Sequence, residues 1–582
     1  MGLAWKRPKQ IRSNPQLYTQ GRSLYDVGQG SAGTCWFLAT LSTIADKKVL
    51  MDKVIPPNSY KLGTPAYDGK FHARFWQFGK WEDVFVDDFL PVVYNDVIWG
   101  ARNKVDENEM WVSLIEKAFA KYHGSYNAAS GGHPGDSYMN LTGGVSENIE
   151  HKEVKDNDEF YARIKNAINS GSQVISSVPG KFEGVQGLLG NHAYSMSGTA
   201  TVKGEKLLRL RNPWGDGTEW KGRWSDGHYN WRGVSPNEVP HADKDDGEFW
   251  ISFNDFLELF NETTICSLTP DFDRDGRTDR LDYALNIYGQ WIGPSAAGFE
   301  NKLRNPKYGF TVPDKGEDIP VVVQLIQKKQ HRKDQTDQIR CDLFKVQGSD
   351  GKRAVLENMG ENTNSYTNAA QRSFRFRLKG GNYCLVPSAA DAGTEREFLI
   401  RVFSPVPLTN VRDIGGGLTL LSCELQNSLT YRGRDYPLKF SRVEFGAWKN
   451  GENAGGHIGH NKSHDINPQY QITITEYEIP VMFRVLQARD QRPMPIGLWL
   501  YSLDPGENIP VTYDQIYEKH KGAVSKVLET IDGEDNKYIR GYDFDATYML
   551  RRGEYLLLVH TDSPGRGGDF TLLIKSSGDV GI

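Results

Sequence analysis

The chain has 582 residues, of which 38% are hydrophobic and 12% aromatic, enough apolar material for several cores; this composition excludes an intrinsically disordered chain. Its 69 basic and 74 acidic residues leave a net charge of -5, which excludes the strongly cationic surface of a general nucleic-acid-binding protein. At about 150 residues per domain, the length predicts roughly four structural units.

The start of the chain and its cysteines indicate an intracellular protein. No apolar run reaches the roughly eighteen residues of a membrane-spanning helix, and the first residues lack the apolar core of a signal peptide. We therefore expect reduced thiols in a soluble, cytoplasmic protein with no nucleic-acid partner. The cysteines lie far apart and form no CxxC pair, at Cys35, Cys266, Cys341, Cys384 and Cys423.

Residues 1 to about 265 combine helical and extended patterns. Apolar residues at helical spacing predict one helix from near Ser31 to Ile44 and another over 109–119. Extended runs at 71–78 and 207–210 predict strands. This mixture is typical of an α+β domain.

After about residue 280 the helical spacing nearly vanishes. Short alternating or β-branched runs replace it, and glycines and prolines separate them, as is typical of a β-sandwich. The region 514–530 has helix-like spacing, which we interpret as an insertion between strands. The predicted strands include 321–326, 374–378, 398–403 and 549–559.

The β-rich part contains a long-period repeat. Its order and spacing agree at several points, which predicts two copies of one all-β module joined by a linker over 405–417. Trp291, Asn305-Pro306 and Ile319-Pro320 recur as Trp448, Asn467-Pro468 and Ile479-Pro480, at offsets of 157, 162 and 160 residues. Gly381-Asn382-Tyr383 likewise recurs as Gly553-Glu554-Tyr555.

The segment from Gln29 to Phe37 carries a strong chemical signal. Cys35 is predicted at the start of a helix, where unpaired backbone N–H groups and the helix dipole stabilise a thiolate. Gln29, on the approaching loop, can place its side-chain amide beside the sulfur and stabilise an oxyanion. A single cysteine is more often a buried packing residue, so a catalytic role requires a base elsewhere.

A base and an orienting residue follow downstream. His192 lies 157 residues after Cys35, and Asn212 lies twenty residues after His192. A lone histidine is more often structural, but the order Cys, His, Asn at these separations is typical of a papain-like cysteine protease. In such a site Asn212 holds the imidazole, and Trp214 shields the bond between them.

Together with further motifs, these residues make the chain resemble the calpain family, the intracellular calcium-dependent cysteine proteases, over essentially its whole length. The resemblance implies that Gly33 and Gly132 line the substrate-binding cleft. The matching motifs are Trp5–Pro8, Phe75–Gly79, Val86–Asp88, Glu116–Ala118, Ser130–Gly132, Thr142–Gly144, His192–Ser195, Asn212–Gly215 and Asp246–Trp250.

The resemblance implies an α+β fold in which a papain-like core of two subdomains precedes two antiparallel β-sandwich domains of calpain type. No penta-EF-hand region follows the sandwiches, so no EF-hand small subunit is expected as a partner. We expect four units: subdomain 1 of the protease core over 1–130, the β-rich subdomain 2 over 131–268, and sandwiches over 280–404 and 418–582.

The resemblance also assigns two calcium ions as cofactors, one in each half of the protease core. Carboxylates and carbonyl oxygens are the ligands that Ca²⁺ prefers, although any one of these acids alone is more often a surface residue. The first set comprises the carboxylates of Asp26 and Glu109 with backbone oxygens of Thr19 and Gly21. The second comprises the carboxylates of Glu219, Asp226, Asp246 and Glu248 with the backbone oxygen of Lys244.

A separate acidic segment, Asp271 to Asp282, begins like an EF-hand loop. It lacks the bidentate Glu at position twelve, and no clear helix precedes it. We interpret it as an acidic turn between the protease core and the first sandwich. The basic run Lys328–Lys333 is either a solvated turn or a contact for anionic lipid head groups.

Two positions depart from the family pattern. Thr34 stands where many calpains carry aspartate before the cysteine. Asn191 stands where glycine is usual before the histidine, and glycine there lets the substrate backbone approach closely. We expect the identity of the base to be unaffected and the affinity for substrate to depend on Asn191.

These features predict a calcium-activated cysteine endopeptidase that performs limited proteolysis of intracellular protein substrates. The β-sandwich domains add an expected calcium-dependent contact with membrane lipid. The alternative is a catalytically silent calpain-like scaffold that binds proteins or membranes in response to calcium. The retention of Cys35, His192 and Asn212 favours the protease.

Overall fold

The structure, a computed structural model, describes most of the chain. The described residues are 2–57, 62, 64–328, 336–349, 353–359, 367–368, 370–414, 419–423, 428–431, 434–456, 465–487, 494–503, 509–512, 539–540 and 543–582. The predicted insertion at 514–530 and nearly all of the basic run at 328–333 lie outside them.

The helical half of the predicted α+β core, residues 2–142, packs around one aromatic cluster. Phe37 and Phe119 stack there with ring centroids 3.9 Å apart, and both are fully buried. Its helices are α1 (Pro8–Ile11), α2 (Cys35–Ile44), α3 (Lys48–Val54), α4 (Trp111–His123) and α5 (Pro134–Thr142). Its strands are β1 (Ala4–Lys6), β2 (Lys70–Gln77), β3 (Lys80–Asp87), β4 (Leu90–Val93) and β5 (Val97–Ile98).

The two long predicted helices exist, but each begins later than its apolar pattern. Helix α2 begins at Cys35, not near Ser31, because the preceding loop is held by backbone bonds: Ser31 N donates to Trp99 O at 2.8 Å, and Gly131 N donates to Gly33 O at 2.9 Å. Helix α5 lies beyond the predicted boundary at residue 130, yet its residues join the helical core. The helical half therefore extends to about residue 142.

The sheet half, residues 143–267, forms a six-stranded antiparallel sheet in the order β10-β9-β8-β7-β11-β6. Ala39 of α2 packs against Ile175 and Ala193 of this sheet, which joins the two halves. The elements are β6 (Val145–Glu150), α6 (Asn157–Asn169), β7 (Gln173–Val178), β8 (His192–Val202), β9 (Glu205–Arg211), β10 (Glu248–Ser252), α7 (Phe253–Leu259) and β11 (Glu262–Ser267).

The next region is all β and has two sheets around an apolar core. One sheet has the order β12-β20-β14-β18, and the other has β21-β13-β19-β15-β16-β22 with β17 beside β15. The strands are β12 (Tyr283–Trp291), β13 (Tyr308–Val312), β14 (Ile319–Gln327), β15 (Gln338–Ser349), β16 (Arg353–Asn358), β17 (Thr367–Asn368), β18 (Gln371–Leu378), β19 (Gly381–Ala389), β20 (Arg396–Ser404), β21 (Thr409–Asp413) and β22 (Thr419–Cys423).

The segment predicted as a linker, 405–417, contains β21, which pairs with β13 of the first all-β region. Strand β22 pairs in parallel with β16 of the same region, although it lies beyond the predicted start of the second sandwich at 418. The side chains of β21 are all exposed, so its sequence carries no alternation of buried and exposed residues. Backbone pairing, with one side-chain bond from Asn410 Nδ2 to Thr311 Oγ1 at 3.2 Å, joins it to β13. The missing alternation is why the pattern indicated a linker.

The last region forms one long sheet in the order β25-β30-β26-β29-β27-β28, with β31 beside β26. Strands β26 and β29 are each 19 residues long and pair with each other antiparallel, with a register shift between Ile474 and Glu478. Its described residues include no α-helix. The strands are β23 (Ser428–Tyr431), β24 (Arg434–Pro437), β25 (Lys439–Trp448), β26 (Gln469–Gln487), β27 (Pro495–Ser502), β28 (Ile539–Arg540), β29 (Asp543–Thr561), β30 (Gly568–Ser576) and β31 (Val580–Gly581).

Residues of the repeated motifs make the same contacts in both all-β regions. The indole N–H of Trp291 donates to Pro387 O at 3.0 Å, and that of Trp448 donates to Val559 O at 2.9 Å. The amides of Asn305 and Asn467 each bridge a glycine-rich loop: Asn305 Nδ2 donates to Gly298 O at 2.8 Å, and Asn467 Nδ2 donates to Gly456 O at 2.9 Å. Tyr383 and Tyr555 each donate to the carbonyl four residues earlier.

The α+β core, residues 2–267, and the first all-β region are joined through Glu147 on β6. Its carboxylate accepts Arg163 Nη2 at 2.8 Å and Arg375 Nη2, from β18, at 2.7 Å, and it lies 2.9 Å from Arg274 Nε. Burial raises the pKa of Glu147, but the three guanidinium groups outweigh burial, so the pKa lies below its ordinary value. The charged carboxylate is therefore part of the junction at neutral pH.

We expect Glu147→Gln to destabilise the protein by about 2 kcal/mol or more at pH 7, because it leaves three guanidinium groups without their anion. The carboxylate contributes this stability above its unfolded pKa of about 4.3 and loses it as the pH falls further. In thermal unfolding at pH 7, the midpoint of Glu147→Gln should therefore lie below that of wild type. At pH 3.5 the difference between the two midpoints should be smaller. Glu150→Gln, at an exposed position on the same strand, is the control; equal effects of both variants at pH 7 would contradict the prediction.

Candidate active site

Cys35 is the first residue of α2, as the sequence predicts. Its thiol is partly buried and lies against the backbone of Ala193 at the start of β8. Burial raises the pKa of the thiol, while hydrogen bonding to the backbone of Ala193 and Trp36 acts in the opposite direction and is outweighed. The sulfur therefore holds its proton in this arrangement.

His192 and Asn212 form a hydrogen-bonded pair across two neighbouring strands. His192 Nε2 lies 2.8 Å from Asn212 Oδ1. The other end of the Asn212 amide is fixed because Nδ2 donates to Thr218 O at 2.7 Å, and Asn212 is fully buried. Because an amide oxygen can only accept, the imidazole must carry its proton on Nε2. Nδ1 is therefore the nitrogen left to accept a proton from a thiol.

Trp214 covers this pair. Its backbone N–H donates to Asn212 Oδ1 at 3.0 Å, and its indole meets the His192 ring edge-on at a centroid distance of 5.9 Å. Burial lowers the pKa of His192 to about 4, against the opposing effects of the Asn212 hydrogen bond and the Glu183 charge. The imidazole is neutral at pH 7.

The structure thus brings Cys35 and His192 to the same seam between the two halves. Among the described residues, no hydrogen bond joins the Cys35 sulfur to the His192 ring. With the thiol protonated and the imidazole neutral, the pair is in a resting protonation state. A working nucleophile would require the proton to pass from Sγ to Nδ1.

Gln29 lies on the loop before the cysteine and is nearly buried. Its Nε2 donates to Ala32 O at 2.8 Å, which leaves one amide hydrogen for another acceptor. Its backbone N–H donates to Pro213 O at 2.8 Å, in the loop that carries Trp214. This backbone bond joins the loop before Cys35, in the helical half, to the loop that carries Trp214, in the sheet half.

The two predicted cleft glycines are required by close packing. A Cβ at Gly33 would lie 2.3 Å from Ser130 Oγ, and a Cβ at Gly132 would lie 2.6 Å from the Trp36 indole. Asn191, the unusual residue before the histidine, has a φ of +51°. Glycine and asparagine are the residues that adopt this left-handed backbone most readily, so Asn191 keeps the loop conformation.

The other unusual residue, Thr34, contacts a buried acid that the sequence analysis did not single out as functional. Thr34 Oγ1 donates to Glu116 Oε1 at 2.6 Å, and Ala101 N donates to Glu116 Oε2 at 2.7 Å. Glu116 is fully buried, and burial raises its pKa despite these two bonds. Glu116 therefore ties the residue before Cys35 to the neighbouring loop.

The first predicted calcium set lies together at one end of the helical half. Asn103 Nδ2 donates to Glu109 Oε2 at 2.7 Å and lies 3.4 Å from Asp26 Oδ1, so one amide spans both carboxylates. Thr19 N donates to Glu109 Oε1 at 2.9 Å, and Gly21 follows on the same loop with a φ of +101°. Burial, and secondarily the Asp26 charge, raise the pKa of Glu109. Paired carboxylates beside backbone carbonyls suit a hard cation.

Four members of the second predicted set, Asp226, Lys244, Asp246 and Glu248, line a cavity of about 290 Å³. The fifth, Glu219, does not line it, and its Oε1 accepts Gly247 N at 2.6 Å. Burial, with added repulsion from Asp226 and Asp246, raises the pKa of Glu219 to about 7. Burial, with repulsion from Asp246, raises the pKa of Asp226 to about 6. Mutual repulsion of this kind is relieved by a bound cation, so the residues present fit Ca²⁺.

The two carboxylate sets are linked by residues that the sequence analysis missed. Tyr25, next to Asp26, donates its hydroxyl to Glu248 Oε2 at 3.1 Å. Arg211 is 1% exposed, and its Nη2 donates to Val27 O at 3.1 Å while Nε and Nη1 have no partner among the described residues. The charges of Glu248 and Asp246 favour this guanidinium, although burial lowers its pKa. Neither residue has a local sequence signal, because each contact spans more than 180 positions.

Comparison with known proteins agrees with this arrangement. Residues 1–267 match the family described as calpain family cysteine protease. Residues 287–403 and 444–574 match the family described as calpain large subunit, domain III. The chain belongs to the calpain family.

Curated calpains align with most of this chain. Calpain-A of Drosophila melanogaster is 34% identical over 442 residues, covering 69% of this chain and 53% of that protein. Calpain-9 of Homo sapiens is 33% identical over 457 residues, covering 72% of this chain and 64% of that protein. The chain thus spans between about half and two thirds of the length of these two relatives. Calpain family membership supports a cysteine-protease function.

The acidic segment after the calpain protease core has the contacts of a turn. The carboxylates of Asp271, Asp273 and Asp275 lie within 4.8 Å of one another, but both oxygens of Asp271 accept backbone N–H groups, from Arg274 at 2.7 Å and Gly276 at 2.9 Å. A strand, β11, precedes the segment. Separately, no helix among the described residues is long and apolar enough to cross a membrane.

We expect Thr34→Val to destabilise the protein by about 1–3 kcal/mol, because it removes a hydrogen-bond donor from a fully buried carboxyl group. Thr43→Val is the matched control, since Thr43 donates to a carbonyl on the same helix at 2.7 Å but contacts no acid. Thermal unfolding of both variants measures the difference. Equal midpoints would contradict a specific role for the Thr34–Glu116 bond.

Proposed function

We propose that this calpain-family chain is a calcium-activated cysteine endopeptidase that performs limited proteolysis of intracellular proteins. The observation that carries the proposal is the Asn212 amide, whose oxygen is shared by His192 Nε2 and Trp214 N. That arrangement leaves Nδ1 as the base on the strand that faces the cysteine helix. The four cysteines whose side chains are described are free thiols, in keeping with a reducing compartment.

The reaction follows from these roles. Cys35 Sγ attacks the peptide carbonyl carbon as its proton passes to His192 Nδ1. The oxyanion of the tetrahedral intermediate accepts the Cys35 backbone N–H and the free amide hydrogen of Gln29. His192 then gives its proton to the departing amine, and the acyl–sulfur bond remains. Water, deprotonated by His192, hydrolyses that bond and restores the thiol.

The resting protonation state explains why such a site needs activation. Burial raises the pKa of Cys35 and lowers that of His192 to about 4, so the proton stays on sulfur. Moving Sγ and Nδ1 to hydrogen-bond distance, about 3 Å, would let the imidazole accept it. Asn212 keeps Nδ1 directed outward while the halves adjust, and Gln29 moves with the Pro213 loop through their backbone bond.

Bound Ca²⁺ would supply positive charge that offsets the repulsion within each carboxylate set. Asp26 and Glu109, with backbone oxygens of Thr19 and Gly21, would hold one ion. Glu219, Asp226, Asp246 and Glu248, with the backbone oxygen of Lys244, would hold the other. Tyr25 and Arg211 lie between the two sets. A rearrangement of either set would be transmitted through them to the boundary between the two halves, where Cys35 and His192 lie. Calcium binding would thus select the closed arrangement of the halves.

The all-β part supports two sandwich modules. To the first we assign residues 280–404 together with β21 (Thr409–Asp413) and β22 (Thr419–Cys423), and to the second the rest of the predicted range 418–582. Trp291 and Trp448 make equivalent contacts in the two regions, and so do Asn305 and Asn467. These equivalent contacts support a duplicated module. So does the match of two separate segments to domain III of the calpain large subunit. A calcium-dependent lipid contact through these modules remains part of the proposal; the described part of the basic run, Lys328, is paired with Glu397.

A catalytically silent scaffold is the second candidate, and the absence of a direct bond between Cys35 and His192 in the described structure favours it. The two functions differ in one measurement, the cleavage of a protein substrate such as casein in the presence of calcium. A scaffold would bind without cleaving.

We expect casein cleavage to require calcium and to be abolished by Cys35→Ala, because sulfur is the nucleophile. Cys384→Ala, which removes a buried thiol from the first sandwich, should retain activity and serves as the control. Fluorogenic cleavage is measured with calcium and with excess chelator. Cleavage by the Cys35→Ala protein would refute the assigned nucleophile, and cleavage in chelator would refute the calcium switch.

We expect Glu109→Ala and Asp246→Ala each to raise the calcium concentration for half-maximal activity by at least about 10-fold, because each removes a carboxylate ligand. Glu107→Ala removes an exposed acid that pairs with Arg12 and is the control. A calcium titration of peptide cleavage compares the three variants with wild type. Half-activation at the wild-type concentration in both ligand variants would show that these carboxylates do not hold the ions.

A further inference from the structure

A cavity of about 260 Å³ lies where the first sandwich meets the helical half of the protease core, and no role assigned so far uses it. The core contributes Trp36, Phe78, Gly132 and Met139 to its lining, and the sandwich contributes Ile326 and Ala370. These residues come from the catalytic helix α2, the turn after β2, the loop before α5, helix α5, strand β14 and the residue before β18. The cavity is therefore composite.

The cavity begins close to the reactive cysteine. Gly131 and Gly132 are both exposed, and Gly131 N donates to Gly33 O at 2.9 Å, two residues before Cys35. A Cβ at Gly132 would lie 2.6 Å from the indole of Trp36, the residue after Cys35. A peptide lying along this glycine loop would therefore pass the mouth of the cavity.

The lining combines polar and apolar side chains. Asn140 Nδ2 lies 3.1 Å from Trp76 O, and the Gln327 side chain exchanges two hydrogen bonds with the Asp337 backbone, at 2.8 and 3.1 Å. The Lys328 ammonium is paired with Glu397. Gln77, Tyr122, His123 and Asp136 also line the cavity, and Trp36, Phe78, Met139 and Ile326 supply its apolar and aromatic surface.

Size and composition together indicate the occupant. Met139 and Ile326 belong to one buried apolar cluster, and Phe78 packs against it while half-exposed. The volume is below the roughly 300–1,000 Å³ typical of pockets for drug-sized molecules, and it suits a single large side chain. An aromatic ring would meet Phe78 and Trp36 and the Met139 thioether, which are favourable neighbours for it.

We propose that this cavity is a substrate subsite, shared between the protease core and the first sandwich, that accepts a large apolar or aromatic side chain of the protein substrate. The inference rests on the proposed proteolytic function. It makes the sandwich a direct participant in the choice of cleavage site, because Ile326 and Ala370 form one wall of the subsite. Substrates would be selected by a side chain some residues away from the bond that is cut.

The test uses the full chain with calcium and a series of internally quenched peptides. Each peptide has the same single scissile bond in a Ser/Gly background, and one Phe is moved through the six positions on either side. We expect one position to raise kcat/KM by about 10-fold or more over the peptide without Phe, the effect of burying one such side chain.

Ala370→Trp fills the cavity from the sandwich side and should abolish this preference. Ala284→Trp, on exposed strand β12 of the same sandwich, is the matched control and should keep it. The measured quantity is the ratio of kcat/KM with and without Phe within each variant, which does not depend on the fraction of folded enzyme. Phe78→Ala, from the core side, should lower the same ratio.

The possible results separate the two proposals. Cleavage with no preference for Phe at any position, or wild-type ratios in both Ala370→Trp and Phe78→Ala, would overturn the shared subsite alone. Failure of the wild-type chain to cleave any peptide or casein with calcium would overturn the proposed protease and, with it, this inference. If Ala284→Trp also lost the preference for the Phe peptide, the effect would not be local to the cavity, and this result would count against the subsite.

Discussion

The reactive sulfur and the imidazole belong to different halves of the core, so the chemistry depends on the contacts that hold those halves together. Contacts that cross close to the site include those of Gln29 N with Pro213 O, Arg211 Nη2 with Val27 O, Tyr25 Oη with Glu248 and Lys104 Nζ with Asp216. The first three involve the loop before Cys35 or a neighbour of a predicted calcium ligand. In the proposed calcium switch, small movements at the carboxylate sets would be conveyed through them to the sulfur–imidazole distance.

Carboxylates are stabilised in three different ways in this molecule, and the difference indicates their roles. Glu147 is surrounded by guanidinium groups and stays charged, which suits a fixed junction. Glu116 is buried and accepts hydrogen bonds from neutral donors, and burial raises its pKa. Such a carboxyl group suits a permanent structural contact. Glu219 and Asp226 face other carboxylates, so their raised pKa values reflect repulsion as well as burial. Glu109 beside Asp26 belongs to this last kind. In the proposed calcium switch, these are the carboxylates that would gain from a bound cation.

Local sequence patterns predicted the helices and strands whose apolar residues recur at a regular spacing. They failed for features that depend on contacts between residues far apart in the sequence. The all-β region after 280 and the repeated Trp and Asn positions followed from spacing alone, whereas apolar spacing placed the start of α2 near Ser31, before its actual start at Cys35. The two carboxylate sets came from the family resemblance. In the structure, the Asn103 amide spans Asp26 and Glu109, and four members of the second set line one cavity. The contacts of Tyr25 and Arg211, the Thr34–Glu116 bond and the contact of Asn103 with Asp26 could not be foreseen, because the partners are distant in sequence. Strand β21 was missed because its side chains are all exposed and show no alternation.

The pairing of β21 and β22 has a consequence for where the molecule can be divided. A shortened chain that ends at residue 404 would retain β13 and β16 but lose the strands that cover them. Two rows of backbone N–H and C=O groups would then face solvent, and such open edges recruit strands from other molecules. The first all-β region is therefore self-contained only when it carries part of the sequence that leads to its neighbour. Separation of the two modules would have to occur beyond residue 423.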